Sequence, residues 1–177
     1  MFLVLALLIK ASSSGPVFYL GERVGKGGKH FKMYKFRSMV QNADQIGGPS
    51  TPADDPRLTS IGKFLKRFQL DEFAQLINVF RGEMSLVGPR PEFPPYVAMM
   101  TPAEKRAILS VKPGMTDFAS LWNFHEGELL QGSQDPEKIY LEKIRPEKLR
   151  LQMKYVKEQS LWLDIKIIVM TILKIFQ

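Results

Sequence analysis

IGKFLKRFQLDEFAQLINVFRGEMSLVGPRPE, residues 61–92, decides how the rest of the chain is read. Ile61, Phe64, Leu65 and Phe68 fall at i, i+3, i+4 and i+7, the spacing of one apolar helix face. Phe73, Leu76, Ile77 and Phe80 repeat that spacing. Asp71 and Glu72 stand between the two faces, where the second helix is expected to begin. Met84-Ser85-Leu86-Val87 then reads as a short strand. Gly88-Pro89-Arg90-Pro91 reads as a stiff turn, because two prolines restrict the backbone around Arg90. Two adjacent carboxylates and one guanidinium are thereby set on short, rigid connections.

On the N-terminal side, Pro16 to Arg23 and His30 to Phe36 read as two strands. Val24-Gly25-Lys26-Gly27-Gly28-Lys29 joins them as a glycine-rich hairpin loop. Arg23, Lys26, Lys29, His30, Lys32, Lys35 and Arg37 make this hairpin strongly basic. Gln41 to Pro56 is polar and rich in Gly, Pro and Asp, and predicts a mobile loop of lid type. On the C-terminal side, Thr101-Pro102-Ala103-Glu104 is a capping box with proline at the first helical position. It opens a helix to about Ser110, and residues 111–116 follow as a turn. Asp135-Pro136 starts another helix, which Arg145-Pro146 is expected to break. Leu149, Met153 and Val156 line one side of a basic helix that runs to Gln159.

The two ends are apolar. Met1 to Ile9 is apolar throughout and Lys10 closes it. That is about half of the roughly 20 residues a spanning helix needs, so a monotopic membrane segment is expected there, with a signal peptide, which would lack its usual basic start, as the rival reading. Leu161 to Phe176 is apolar except for Asp164, Lys166, Thr171 and Lys174. Asp164 and Thr171, seven apart, share a face, which reads as an interfacial or buried helix and not a span.

Composition sets the outer limits. The chain has 177 residues, 45% of them hydrophobic, so it can bury a core and is not disordered. It has no cysteine, which excludes disulfides and thiolate-bound metal. A net charge of +7 favours an anionic partner: nucleic acid, anionic lipid or a phosphorylated substrate. Neither His30 nor His125 has a companion at metal-ligand spacing, and there is no Ser-His-Asp order, phosphate loop of the Walker type or zinc pattern. One domain of mixed α+β type is the simplest organisation.

Two readings of Asp71-Glu72 follow from the residues alone. In one, Asp71 caps a helix and Glu72 complements its dipole. In the other, the helix N-terminus holds an ionised carboxylate beside a bound phosphate, so that Asp71 can attack phosphorus and Glu72 can ligate Mg²⁺. Arg90 would grip phosphate bidentately. Lys66 and Arg67, just before the pair, could balance its charge.

Taken in order, the segments resemble one family. They are Ser14-Gly15-Pro16-Val17-Phe18-Tyr19, Arg23-Val24-Gly25, Phe31 to Met39, Asp55-Pro56-Arg57, Leu70-Asp71-Glu72, Gln75 to Val79, Gly82 to Glu92, Lys112-Pro113-Gly114-Met115-Thr116 and Leu163-Asp164-Ile165-Lys166. They are similar to the bacterial sugar transferases, the monotopic polyprenyl-phosphate phosphoglycosyl transferases. The resemblance implies a single mostly helical α+β domain with a short basic β-hairpin and membrane-associated amphipathic helices. Residues 1–14 would be a partial N-terminal membrane segment, a truncated re-entrant helix, and residues 15–177 the catalytic domain. It implies that Asp71 attacks a UDP-sugar, that UMP leaves, and that polyprenyl (undecaprenyl) phosphate takes the phosphosugar from the enzyme. Glu72 would hold Mg²⁺, and Lys35, Arg90 and Asp164 would belong to the active-site shell; Arg37, Lys66 and Arg67 are further candidates, from their charge, for binding substrate and phosphate. The implied setting is the cytoplasmic face of the bacterial inner membrane, with membrane lipid and no nucleic acid as partner. A catalytically silent membrane-bound paralogue or scaffold is the alternative. Asp117 departs from the family, which usually has glycine there, as does the stretch Trp122 to His125.

Overall fold

The structure, a computed structural model, describes residues 2–175. Helix and small sheets are mixed, with helix predominating, as the sequence implies. In chain order the first elements are α1 (Phe2–Ser12), β1 (Phe18–Val24), β2 (His30–Phe36), α2 (Ala43–Ile46), α3 (Ser60–Arg67), α4 (Leu76–Phe80) and β3 (Ser85–Val87). They are followed by α5 (Pro94–Ala98), α6 (Pro102–Ile108), β4 (Gly114–Thr116), α7 (Phe118–Trp122), α8 (Glu126–Leu130), α9 (Pro136–Ile139), α10 (Arg145–Glu158) and α11 (Leu161–Ile175). Contacts divide the chain into two compact units. One comprises residues up to Tyr19, Lys35–Ala74 and His125–Pro146; the other comprises Leu20–Tyr34, Gln75–Phe124 and the chain from Glu147 onward.

In the first unit, α1 packs on α3. Leu5 and Ile9, one turn apart, bury their side chains, whereas Leu3, Val4, Leu7 and Leu8 stay exposed. Phe36 meets Phe2 edge-on and Phe18 at a tilt, each with ring centroids 5.2 Å apart. Thr59 caps α3, its Oγ1 accepting from Gly62 N at 2.9 Å. Position 62 must be glycine, because a Cβ there would lie 1.7 Å from the Ser38 carbonyl oxygen.

The segment 41–56, expected as a mobile lid, is bonded back to the fold in this structure. Arg57 donates to both Asp55 oxygens, to Ala43 O at 3.1 Å and to Gly48 O at 3.0 Å. Ser50 Oγ bonds Glu137 Oε2 at 2.7 Å, and Ala53 N donates to Gly127 O at 2.8 Å. One buried arginine thus supplies the regular bonding that the loop's own sequence lacks.

In the second unit, β3 and β4 pair in parallel, Ser85 opposite Gly114 and Val87 opposite Thr116. A strand therefore occupies 114–116, where the local sequence suggests only a turn. Val87, Leu121, Tyr155 and Ile167 form one buried cluster, and Met100, Ile108 and Leu149 another. Asn78, wholly buried, receives Tyr34 N at 3.0 Å and donates to Lys32 O and Glu83 Oε2. The expected capping box forms at Thr101 and Glu104. Pro146 does not break the chain's helical course. A π-helical turn at Tyr140–Ile144 runs directly into α10, so the proline lies in the first turn of α10, where its missing N–H is tolerated.

The last helix, α11, buries Ile167 and exposes Leu161, Trp162, Val169 and Leu173. Among the described residues no helix is long and apolar enough to cross a membrane.

Candidate active site

Asp71 and Glu72 lie in the first turn of a 3₁₀ helix, Leu70–Gln75, and not at the start of one continuous α-helix. Gln69, at φ 55°, turns the chain left-handed between α3 and this helix. Gln69 N still donates to Lys66 O at 3.1 Å, and Glu72 N donates to Gln69 O at 3.2 Å. These two bonds brace the connection, and Asp71 has only 4% of its surface exposed. A carboxylate shielded this way has little water around it to weaken its electrostatic interactions.

Glu72 is oriented by the hairpin. Lys35, near the end of β2, donates from Nζ to Glu72 Oε1 at 3.0 Å. Lys35, Asp71 and Glu72 are the expected site residues that the first unit brings into one place. The neighbouring cations have partners or settings of their own in this structure. Arg37 is buried and donates to Ser13 O at 2.8 Å, to Ser13 Oγ at 2.9 Å and to Ser14 O. It thereby ties the chain after α1 to the end of β2. Lys66 is half-buried, and its charge acts on Asp55. Burial pushes the Asp55 carboxyl up, but the Arg57 hydrogen bonds and charge, with Lys66, bring it below the usual carboxylate range. Arg67 is exposed, 5.7 Å from the Phe68 ring.

Arg90 and Asp164 belong to the second unit. Arg90 sits in the Gly-Pro-Arg-Pro turn after β3, with Nη1 3.4 Å from Met115 O, and its own carbonyl oxygen accepts from Gln152 Nε2 at 3.2 Å. Asp164 lies in the first turn of α11, where Oδ1 accepts from the Tyr155 hydroxyl at 2.7 Å. Burial, and then the Asp164 hydrogen bond and charge, raise the Tyr155 phenol well above its ordinary value. Asp117 is fully buried. Its Oδ1 caps α7 through Ser120 N and Oγ, while Oδ2 has no hydrogen-bond partner. Desolvation dominates and raises this carboxyl, against the Ser120 hydrogen bonds and the charges of Lys148 and Arg90. In the glycine loop of the hairpin, Gly27 N donates to Leu109 O at 2.8 Å.

Gln152 and Tyr155 are absent from the sequence reading, which saw only the apolar face of α10. Their signal was present as polar residues at 148, 152 and 155, a second face at helical spacing.

An Asp-Glu pair on a hydrogen-bonded turn, with a lysine on the glutamate, is a set of groups suited to handling phosphate. The model of the bacterial sugar transferase family matches residues 1–177, and the chain belongs to that family. A protein of Aeromonas hydrophila, UDP-N-acetylgalactosamine-undecaprenyl-phosphate N-acetylgalactosaminephosphotransferase, is 36% identical over 97% of this chain and 38% of its own length. The UDP-glucose:undecaprenyl-phosphate glucose-1-phosphate transferase of Escherichia coli is 38% identical over 97% of this chain and 35% of its own. The uncharacterised sugar transferase EpsL of Bacillus subtilis is 34% identical over 95% of this chain and 74% of its own length. The chain therefore spans less than two-fifths of the first two relatives and about three-quarters of the third.

Proposed function

We propose that this protein transfers a phosphosugar from a UDP-sugar to undecaprenyl phosphate, in two displacements through Asp71. The Asp71 carboxylate attacks the phosphorus that carries the sugar. The bond from that phosphorus to the bridging oxygen breaks, and UMP departs with the electron pair. A polyprenyl phosphate oxygen then attacks the same phosphorus and releases the Asp71 carboxylate, giving polyprenyl-diphospho-sugar. The observation that carries this reading is the buried Asp71 beside Glu72 on a hydrogen-bonded turn, with Lys35 fixing Glu72. A nucleophile held in one geometry lowers the entropic part of the barrier.

Glu72 is the residue assigned to Mg²⁺. Among the described residues no three acidic or histidine side chains cluster as a metal cage. One hard carboxylate fits the shell of a Mg²⁺ that keeps waters and takes its remaining oxygens from substrate phosphates. When bound, the ion supplies charge neutralisation on the diphosphate. Lys66 is assigned to the substrate's charge, and Arg90 and Asp164 to phosphate and substrate contacts, in line with the family resemblance. Arg37 and Arg67 are assigned to substrate and phosphate as well; in this structure the Arg37 terminal nitrogens hold Ser13 and Ser14, and Arg67 is exposed beside Phe68.

The proposed setting is the cytoplasmic face of a bacterial inner membrane, at the first step of a surface glycan. The exposed apolar residues of α1 and of α11 support it, as does the net charge of +7. The test is UMP release from a panel of UDP-sugars with Mg²⁺ and undecaprenyl phosphate, beside Asp71→Asn. Release that Asp71→Asn abolishes, together with a phosphosugar adduct on the wild-type chain by intact mass, supports the reading. Release that survives the substitution rules out the covalent route, and absence of release from every donor favours a catalytically silent membrane protein.

A further inference from the structure

Lys148, Gln152 and Tyr155 fall at i, i+4 and i+7 on α10, so they share one edge of the helix. All three are polar and largely withdrawn from water. Lys148 Nζ lies 3.8 Å from Glu92 Oε1, with the two side chains 12% and 5% exposed. Gln152 is wholly buried and holds the Arg90 carbonyl; Tyr155 is buried and holds the Asp164 carboxylate. A single helix edge therefore touches the Arg90–Glu92 turn twice and α11 once.

Stability alone does not account for this edge. Burying polar groups is costly unless each is well partnered, and an apolar edge of the same volume commonly serves a core as well. Gln152 in fact leaves its Oε1 without a hydrogen-bond partner. What the edge does is fix two geometries. Pro89 and Pro91 stiffen the turn, and the Gln152 amide fixes the carbonyl between them, which limits where the Arg90 side chain can start. The Tyr155 hydroxyl occupies one oxygen of Asp164 and so selects its rotamer. The phenol remains a donor across the working range, since its ionisation is pushed far upward.

We propose that Gln152 and Tyr155 are positioning residues of the transferase, acting through Arg90 and Asp164 and making no contact with substrate themselves. This inference rests on the phosphosugar-transfer reading. The Tyr155 ring packs with Val87, Leu121 and Ile167, so Tyr155→Phe keeps the packing and removes only the hydroxyl.

The experiment is steady-state UMP release for wild type, Tyr155→Phe, Asp164→Asn and the double variant, with the donor that wild type uses. A hydrogen bond to a charged group predicts that Tyr155→Phe lowers kcat roughly ten- to a hundredfold. KM for the UDP-sugar should stay within about twofold, and the variant should still unfold in one cooperative transition, with a melting temperature lowered by no more than about 10 °C. Because Tyr155 acts through Asp164, adding Tyr155→Phe to Asp164→Asn should cost nothing further. Gln152→Met, alone and with Arg90→Ala, repeats the comparison at the other grip. Wild-type turnover in Tyr155→Phe, or losses that multiply in the double variants, would overturn the proposal. Wild type that releases no UMP from any donor is a distinct outcome, visible before any variant is made, and it removes the transferase reading itself.

Discussion

Lys35 and Glu72, 37 residues apart, meet at 3.0 Å with side chains only 20% and 17% exposed. The end of a basic strand thereby sets the rotamer of the carboxylate next to Asp71. Removing the cation leaves a half-buried carboxylate without its ammonium partner. Lys35→Met should cost about 1–3 kcal/mol of folding stability, read as a lower urea midpoint. It should also lower UMP release at least about tenfold. Lys35→Arg should recover most of the stability and little of the turnover, because a planar fork cannot occupy the place of a compact ammonium.

Asp55 and Arg57 lock the 41–56 segment, and their bond predicts an acid response. The Asp55 carboxyl is depressed in the folded state, with burial opposing and Arg57 and Lys66 prevailing. Its contribution is then complete above the unfolded value of about 3.9 and is lost as pH falls through the lower folded value. Asp55→Asn should flatten the stability profile below about pH 4 and lower the plateau above it. Thermal unfolding from pH 2 to 7 checks both arms.

Asp117 predicts the opposite slope. Its carboxyl is raised by burial, so the folded state binds a proton more readily than the unfolded chain. Stability from this site is present at low pH and lost as pH rises through the folded value. Asp117→Asn keeps an oxygen for the Ser120 cap and removes the buried charge. It should leave stability at pH 4 near wild type and raise it at pH 7. Urea denaturation at the two pH values separates these outcomes.

Gly62→Ala places a methyl group 1.7 Å from the Ser38 carbonyl, which α3 cannot avoid without moving its capped first turn. A loss of about 3 kcal/mol or failure to fold is expected. Gly48→Ala is the control, since its nearest neighbour would be Glu137 Oε2 at 3.8 Å. It should unfold within about 0.5 kcal/mol of wild type.

The elements that were legible in the sequence are those whose cause is local. The strand His30–Phe36 follows from its alternation, α3 from its apolar spacing, and α6 from the Thr101–Glu104 box. What escaped depends on partners distant in the chain. The strand 114–116 exists because β3 lies beside it, 29 residues earlier at Ser85, and its three residues carry no strand signal alone. The 41–56 segment looks loose until Arg57 is seen to bond back into it. The Asp-Glu pair was legible, and so was its place near a helix start. Its 3₁₀ geometry was not, because that depends on a left-handed Gln69 which no pattern marks. The hold of Arg37 on Ser13 and Ser14 is likewise set by partners more than 20 residues away, which no local pattern marks.

The left-handed step at Gln69 also bears on how this chain tolerates insertion and deletion. Three residues complete a 3₁₀ turn, so a shift of one residue rotates every side chain by about 120°. Losing or gaining one residue between Lys66 and Asp71 would present Leu70 or Glu72 where the buried Asp71 now sits, with every chemical group still in the chain. The length of that connection is accordingly as strict a requirement as the carboxylates it carries, whereas Gly27 and Gly28 at the tip of the hairpin have open space where a Cβ would stand and leave room there for a change of length.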